Sequence, residues 1–209
     1  MVRSPSFTII DYGVGNLMSV SKALKSVGAL PTITKDLREA LEAEAIVLPG
    51  VGAYQPAMKK LRSHIASLKQ ASRNGTSLFG ICLGMELFFS ESTEGGLVDG
   101  LGFIPGRVIR LPSSVKIPHM GWNTVSINRE HPLISGIRSG DYFYFVHSYY
   151  ASPDTSDAVL ASARYGDSFP AIVGKNTILG TQFHPEKSGR VGLRVLKNLV
   201  GLVRRGSMN

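Results

Sequence analysis

Apolar and polar positions follow two rhythms through the first ninety residues. Short runs at 7–11, 31–34, 45–48 and 77–79 have the length of strands, and the apolar runs at 7–11 and 77–79 read as buried. Between them apolar residues recur at helical spacing. Leu17, Val20, Ala23, Leu24 and Val27 lead to Gly28, a natural stop. Asp36 can cap a short helix at 37–41, and Met58, Leu61, Ile65 and Leu68 follow Pro56 in a helix that Asn74-Gly75 ends. Strand alternating with helix predicts a parallel sheet covered by helices on both faces. Ligands in such sheets gather at the carboxyl ends of strands. The turn at 13–16, the loop at 49–52 and Cys82 are therefore expected on one rim.

After residue 90 the pattern changes. Residues 90–102 read as a polar, glycine-rich loop, followed by short β-type runs at 107–111, 124–127, 142–146, 159–164 and 171–173. A hairpin turn at 174–177 leads into a run at 178–183, and Val191, Leu193, Val195, Leu196, Leu199 and Val203 mark a closing helix. The predicted class is α/β: a mostly parallel central sheet flanked by helices, with an additional antiparallel β portion in the C-terminal half. Neither repeat nor linker interrupts the pattern, so 1–209 is expected to be one domain.

Composition changes this picture little. Apolar runs fall short of the ~20 residues of a membrane span, and the first six residues lack a signal peptide's apolar core. A single cysteine excludes an internal disulfide and suits a reducing compartment, so the expectation is a cytoplasmic protein without membrane contact. The net charge of +8 raises the question of nucleic acid. The basic residues are scattered over helix faces with no run interleaved with aromatics, which reads as a solvated surface and not a nucleic-acid site.

Candidate chemistry sits in three places. Gly80-Ile81-Cys82-Leu83-Gly84 joins an apolar strand to a helical run with the spacing of a nucleophile elbow, cysteine standing where related hydrolases carry serine. The start of a helix would lower the thiol pKa. In Pro49-Gly50-Val51-Gly52 two glycines let backbone N–H groups approach an oxygen. In His184-Pro185-Glu186, extended geometry would point His184 and Glu186 the same way, so that the carboxylate orients an imidazole whose other nitrogen faces a thiol. A dinucleotide fingerprint at 13–18 fails because Met18 occupies its third glycine position. His64, His119, His131 and His147 lack paired ligand spacing, so no metal is expected, and no cofactor motif stands elsewhere.

Gly80-Ile81-Cys82-Leu83-Gly84-Met85 with His184-Pro185-Glu186 resembles the class I, or triad, glutamine amidotransferases. The stretches Asp11-Tyr12-Gly13-Val14-Gly15-Asn16, Leu48-Pro49-Gly50-Val51-Gly52-Ala53, Pro118-His119-Met120-Gly121-Trp122-Asn123 and Phe145-Val146-His147-Ser148-Tyr149-Tyr150 are similar to the glutaminase subunits of imidazole glycerol phosphate synthase within that family. The resemblance implies that Cys82 is the nucleophile toward L-glutamine, His184 the base and Glu186 its orienting acid. It implies an oxyanion hole from the N–H groups of Leu83 and Val51, completed by reorientation of the Gly50–Val51 peptide. Substrate contacts would come from Gly50, Gly52, Glu86, Glu94, Ser148 and Tyr149, with Glu86 standing where many relatives have glutamine. It further implies that ammonia passes to a (β/α)8-barrel cyclase subunit contacted through Asn16, Met120, Trp122, Tyr144 and Lys187. Rival readings of the same residues are an amidotransferase subunit of another synthase, a stand-alone γ-glutamyl cysteine hydrolase, and a non-catalytic module that has kept the fold.

Overall fold

The computed structural model describes residues 3–13 and 15–206. Met1, Val2 and, within the 13–16 turn, Val14 lie outside the described residues. The chain runs β1 (Ser6–Ile10), α1 (Leu17–Ser26), β2 (Leu30–Thr34), α2 (Leu37–Ala40), β3 (Ala45–Leu48), α3 (Tyr54–Leu61), α4 (Ile65–Arg73), β4 (Ser77–Ile81) and α5 (Leu83–Glu86). It continues through β5 (Phe89–Ser92), β6 (Val98–Asp99), β7 (Ile104–Arg110), β8 (His119–Thr124), β9 (Ser126–Ile127), β10 (Tyr142–His147) and β11 (Tyr149–Pro153), then β12 (Val159–Tyr165), β13 (Asp167–Lys175), β14 (Ile178–Thr181) and α6 (Gly189–Arg205).

The main sheet has the order β2-β1-β3-β4-β14-β13-β12-β9. The first five of these strands are parallel, and β13, β12 and β9 extend the sheet antiparallel. Alternation along β3 shows why it is apolar throughout. Ala45 and Val47 pack with Val20 and Leu24 of α1 and Val195 and Leu199 of α6, whereas Ile46 and Leu48 pack with Met58, Leu61 and Leu68 beneath α3 and α4. Asp36 caps α2 by accepting from Arg38 N, as its position predicts.

Three expectations are corrected. The helix after Cys82 is one turn, because Phe88 and Phe89 are buried side chains and Phe89 already opens β5. The supposed loop at 90–102 carries β5 and β6, which join β7 and β11 in a four-stranded sheet. The helix predicted from Pro56 onward is divided at Arg62–His64 by a 3-10 turn.

A separate ribbon of β8 and β10 positions much of the site. Its antiparallel register sets Trp122 opposite Tyr144, Met120 opposite Val146 and His119 opposite His147. Period-two alternation buries Phe143, Phe145, His147 and His119 inside and leaves Met120, Trp122 and Tyr142 exposed outside.

Candidate active site

Cys82 follows β4 directly, with φ 53° and ψ −112°, a conformation that a side-chain-bearing residue rarely adopts. Its neighbours are glycine for steric reasons. A Cβ on Gly84 would lie 1.7 Å from the Leu48 carbonyl oxygen, and one on Gly80 would lie 2.4 Å from Met85 N. The bend allows the Cys82 carbonyl to accept from Met85 N at 2.9 Å and Glu86 N at 3.0 Å, closing the turn of α5. Leu83 N–H is directed at the sulfur.

The thiol does not behave as its place before a helix suggested. Burial pushes its pKa well above the usual range, and the nearby carboxyls of Glu86 and Glu186 add to this against the opposing pull of Leu83 N–H and Gln182. One helical turn is too short to outweigh that environment. The protonated sulfur donates to the Val146 carbonyl at 3.5 Å and receives the Gln182 amide at 3.8 Å.

His184 reaches the same rim because β14 runs parallel to β4, with Ile81 beside Thr181 and Cys82 N donating to Thr181 O at 2.7 Å. His184 Nδ1 donates to Glu186 Oε1 at 2.8 Å, which leaves the lone pair on Nε2. Both side chains are nearly fully buried. Pro185–Lys187 form a 3-10 turn, so the two side chains meet through a tight turn and not through an extended segment. Ser188 locks this turn to the ribbon: its hydroxyl donates to His184 O at 2.6 Å and accepts from Tyr144 N at 3.0 Å. His184 Nε2 and Glu186 Oε2 are buried, with no hydrogen-bond partner among the described residues.

A cavity of about 220 Å³ opens beside the sulfur. Its walls include Val51, Gly52, Cys82, Leu83, Glu86, Glu94, Val146, His147, Ser148 and Tyr149. Gly50 and His184 are not among them. Gly50 instead stands against the elbow, where an added Cβ would come within 2.7 Å of Leu83 Cβ. The loop carrying Val51 is anchored by the buried Tyr12 hydroxyl, which donates to Pro49 O, while Lys60 Nζ donates to Tyr12 O at 2.7 Å. Glu94 Oε2 accepts from Tyr54 N at 3.0 Å, which ties one of its oxygens to the start of α3.

Glu86 is buried and its pKa rises to about 8, chiefly through burial; the Gln182 hydrogen bond opposes that rise and the charge of Glu94 adds to it. At neutral pH the group is mainly a carboxylic acid. It accepts from Gln182 Nε2 at 2.8 Å and can donate from its other oxygen, much as a glutamine amide would. The replacement of glutamine by glutamate at this position therefore adds little charge. Gln182 itself was not anticipated. The available signal was a polar residue just past the end of β14, two positions before His184.

On the outer face of the ribbon, Trp122 meets Tyr144 edge-on with ring centroids 6.0 Å apart, and Lys187 Nζ lies 5.8 Å from the Tyr144 ring. Met120 and Trp122 are more than half exposed. Asn16 is exposed and caps α1 by accepting from Ser19 N at 3.2 Å. Among the described residues no helix is long and apolar enough to cross a membrane.

These features define a class. The chain belongs to the class I glutamine amidotransferases, whose family model, described as glutamine amidotransferase class-I, matches residues 8–201. Solved structures at 20% identity share the fold with a TM-score of 0.72. Among them are a glutamine amidotransferase, covering 93% of this chain and 98% of that one, and PurLQS from Thermotoga maritima, covering 95% and 99%. Within the class it belongs to the family of the imidazole glycerol phosphate synthase subunit HisH. The Archaeoglobus fulgidus member is 51% identical over 201 residues, covering 94% of this chain and 98% of the other. The Methanosarcina acetivorans member is 50% identical over 195 residues, covering 92% and 96%. The Geobacillus kaustophilus member is 48% identical over 202 residues, covering 93% and 95%.

Proposed function

We propose that this chain is the glutaminase subunit of an imidazole glycerol phosphate synthase, working as one amidotransferase unit in the cytoplasm. It hydrolyses L-glutamine to glutamate and ammonia and delivers the ammonia to a (β/α)8-barrel cyclase subunit in histidine biosynthesis. The observation that carries the reading is the buried lone pair of His184 Nε2, without a partner among the described residues, on an imidazole oriented by Glu186 and placed just past the strand that pairs with the one ending at Cys82.

Cys82 Sγ bonds to the carboxamide carbon of glutamine while its proton passes to His184 Nε2. The carbonyl oxygen takes up negative charge and is met by the N–H groups of Leu83 and Val51. The carbon–nitrogen bond breaks as His184 returns the proton, and ammonia leaves. Water then adds to the thioester, giving its proton to His184. Glutamate departs, and the proton returns to sulfur. The small cavity suits an amino acid, and Glu86, Glu94, Ser148 and Tyr149 are among the residues that line it.

In the resting geometry the thiol proton is engaged by Val146 O, and His184 Nε2 has no partner among the described residues. Substrate and partner docking must swing that proton toward the imidazole. The surface suited to the barrel is the outer face of the ribbon, with Met120, Trp122, Tyr144, Lys187 and, at the start of α1, Asn16. Its position over Val146 gives docking a direct route to the nucleophile.

The deciding experiment measures ammonia release from glutamine with and without the barrel partner loaded with its ribulosyl ligand, using Cys82→Ala as control. Release that requires wild-type sulfur and rises sharply with the loaded partner is expected. Equal rates in wild type and Cys82→Ala would end the proposal, and full activity without any partner would favour the stand-alone hydrolase.

A further inference from the structure

We infer that His119 and His147 are positioning residues, a buried and neutral hydrogen-bond relay that fixes the 147–149 backbone forming one wall of the glutamine cavity. This rests on the glutaminase reading above and extends it to two residues outside the triad.

The direction of the relay is set by one group that can only accept. His147 Nδ1 lies 2.7 Å from the Tyr149 carbonyl oxygen, so Nδ1 carries the proton and Nε2 carries the lone pair. His119 Nδ1 lies 2.9 Å from that Nε2 and must therefore donate to it. His119 Nε2 is then an acceptor, facing the Asn123 amide at 3.4 Å, which itself donates to Arg164 O at 3.0 Å. One carbonyl thus dictates the tautomers of two rings across paired positions of β8 and β10.

The surroundings keep the rings in place. His119 is sandwiched between Tyr165, with centroids 4.0 Å apart, and Phe145, 5.1 Å apart. His147 packs against Phe169 at 4.9 Å. Both rings are nearly inaccessible. Burial holds His119 down to about 4 and His147 to about 3, so both stay neutral at physiological pH. The charged neighbours the rings could acquire are each other and His184. The strands β10 and β11 belong to different sheets, and the His147 ring bridges the bend between them at Ser148. His147, Ser148 and Tyr149 line the cavity, and Val146 O holds the thiol one residue earlier.

The test is steady-state glutaminase kinetics of the full chain reconstituted with the ligand-loaded barrel partner. His147→Gln puts an amide near the Nε2 position and loses the bond to Tyr149 O. His147→Asn puts its amide nitrogen near Nδ1 and keeps that bond. His119→Phe preserves the ring stacking while removing the donor to His147 and the Nε2 acceptor that faces Asn123. His147→Gln is expected to raise the KM for glutamine about tenfold with kcat changed less than about threefold. His147→Asn should recover most of that loss, and His119→Phe should raise KM by a smaller factor. Equal KM for the Asn and Gln variants, or a fall in kcat with KM unchanged, overturns the proposal. Assigned imidazole ¹⁵N spectra of the unmodified chain give a readout free of activity: Nδ1–H tautomers on both His119 and His147 at pH 7 support the relay even if no glutaminase is found, and an Nε2–H tautomer on either of these two rings refutes it even if glutaminase is present. Circular dichroism melts identify any variant that fails to fold, and the spectra then decide.

Discussion

Glu86 shows how one carboxyl can be read only through its surroundings. In the sequence it is an acid placed four residues after the nucleophile, and nothing there says whether it is charged. Burial against Gln182 makes it a donor at neutral pH. Its pKa of about 8 lies above the unfolded value of 4.5, so its contribution to stability is complete below pH 4.5 and is lost as pH rises through 8. Thermal melts should therefore show Glu86→Gln matching wild type near pH 4.5, gaining on it steadily as pH rises from 4.5 to 8, and gaining no further above 8. The KM for glutamine should climb above pH 8 in wild type and stay level in Glu86→Gln. The histidine pair acts in the other direction. Their pKa values of about 4 and 3 lie below the unfolded 6.5, so the stability they contribute is present above pH 6.5 and fades as pH falls toward 3. Melts of His147→Asn should lose less between pH 6.5 and 4 than wild type does.

Among the elements, the elbow was the most legible. The spacing of Gly80, Cys82 and Gly84 indicated a strand that turns sharply, and the structure gives the reason in the contact between Gly84 and the Leu48 carbonyl. Gly84→Ala should cost more than about 3 kcal/mol in chemical denaturation, since rigid backbone and not a flexible side chain meets the new methyl. Cys82 should be strained as well as reactive. Cys82→Gly is expected to be more stable than Cys82→Ala by about 1 kcal/mol, because glycine occupies φ 53°, ψ −112° without penalty. The length of α5 was not legible, for Phe88 and Phe89 fit a helix as readily as a strand until the second sheet that buries them is known. The strand β8 was equally hidden. His119, Gly121 and Asn123 give its inner face no apolar alternation, and the stretch declares itself only by pairing with β10.

For the molecule as a whole, β1, β3 and β4 were readable because each is a short, largely apolar run, and the turn at 174–177 announced the hairpin of β13 and β14, whereas β9 joins the sheet only by pairing with the distant β12. Docking is likewise a property of the assembled surface. Met120 and Trp122 alternate with less exposed residues in a way the sequence alone does not display, and their exposure on a paired ribbon is what marks the outer face. Trp122→Ala should leave the melting temperature within a degree or two and weaken binding to the proposed barrel subunit by at least about thirtyfold, measured by calorimetric titration. An unchanged affinity would move the interface elsewhere.

A sulfur that keeps its proton and leans on the Val146 carbonyl is dull toward every electrophile, and peroxide and alkylators are among them. An enzyme waiting for its partner would thus be preserved while unemployed, and would become vulnerable to iodoacetamide only during turnover. Its durability in a cell would then follow how busy it is more than how long it has existed.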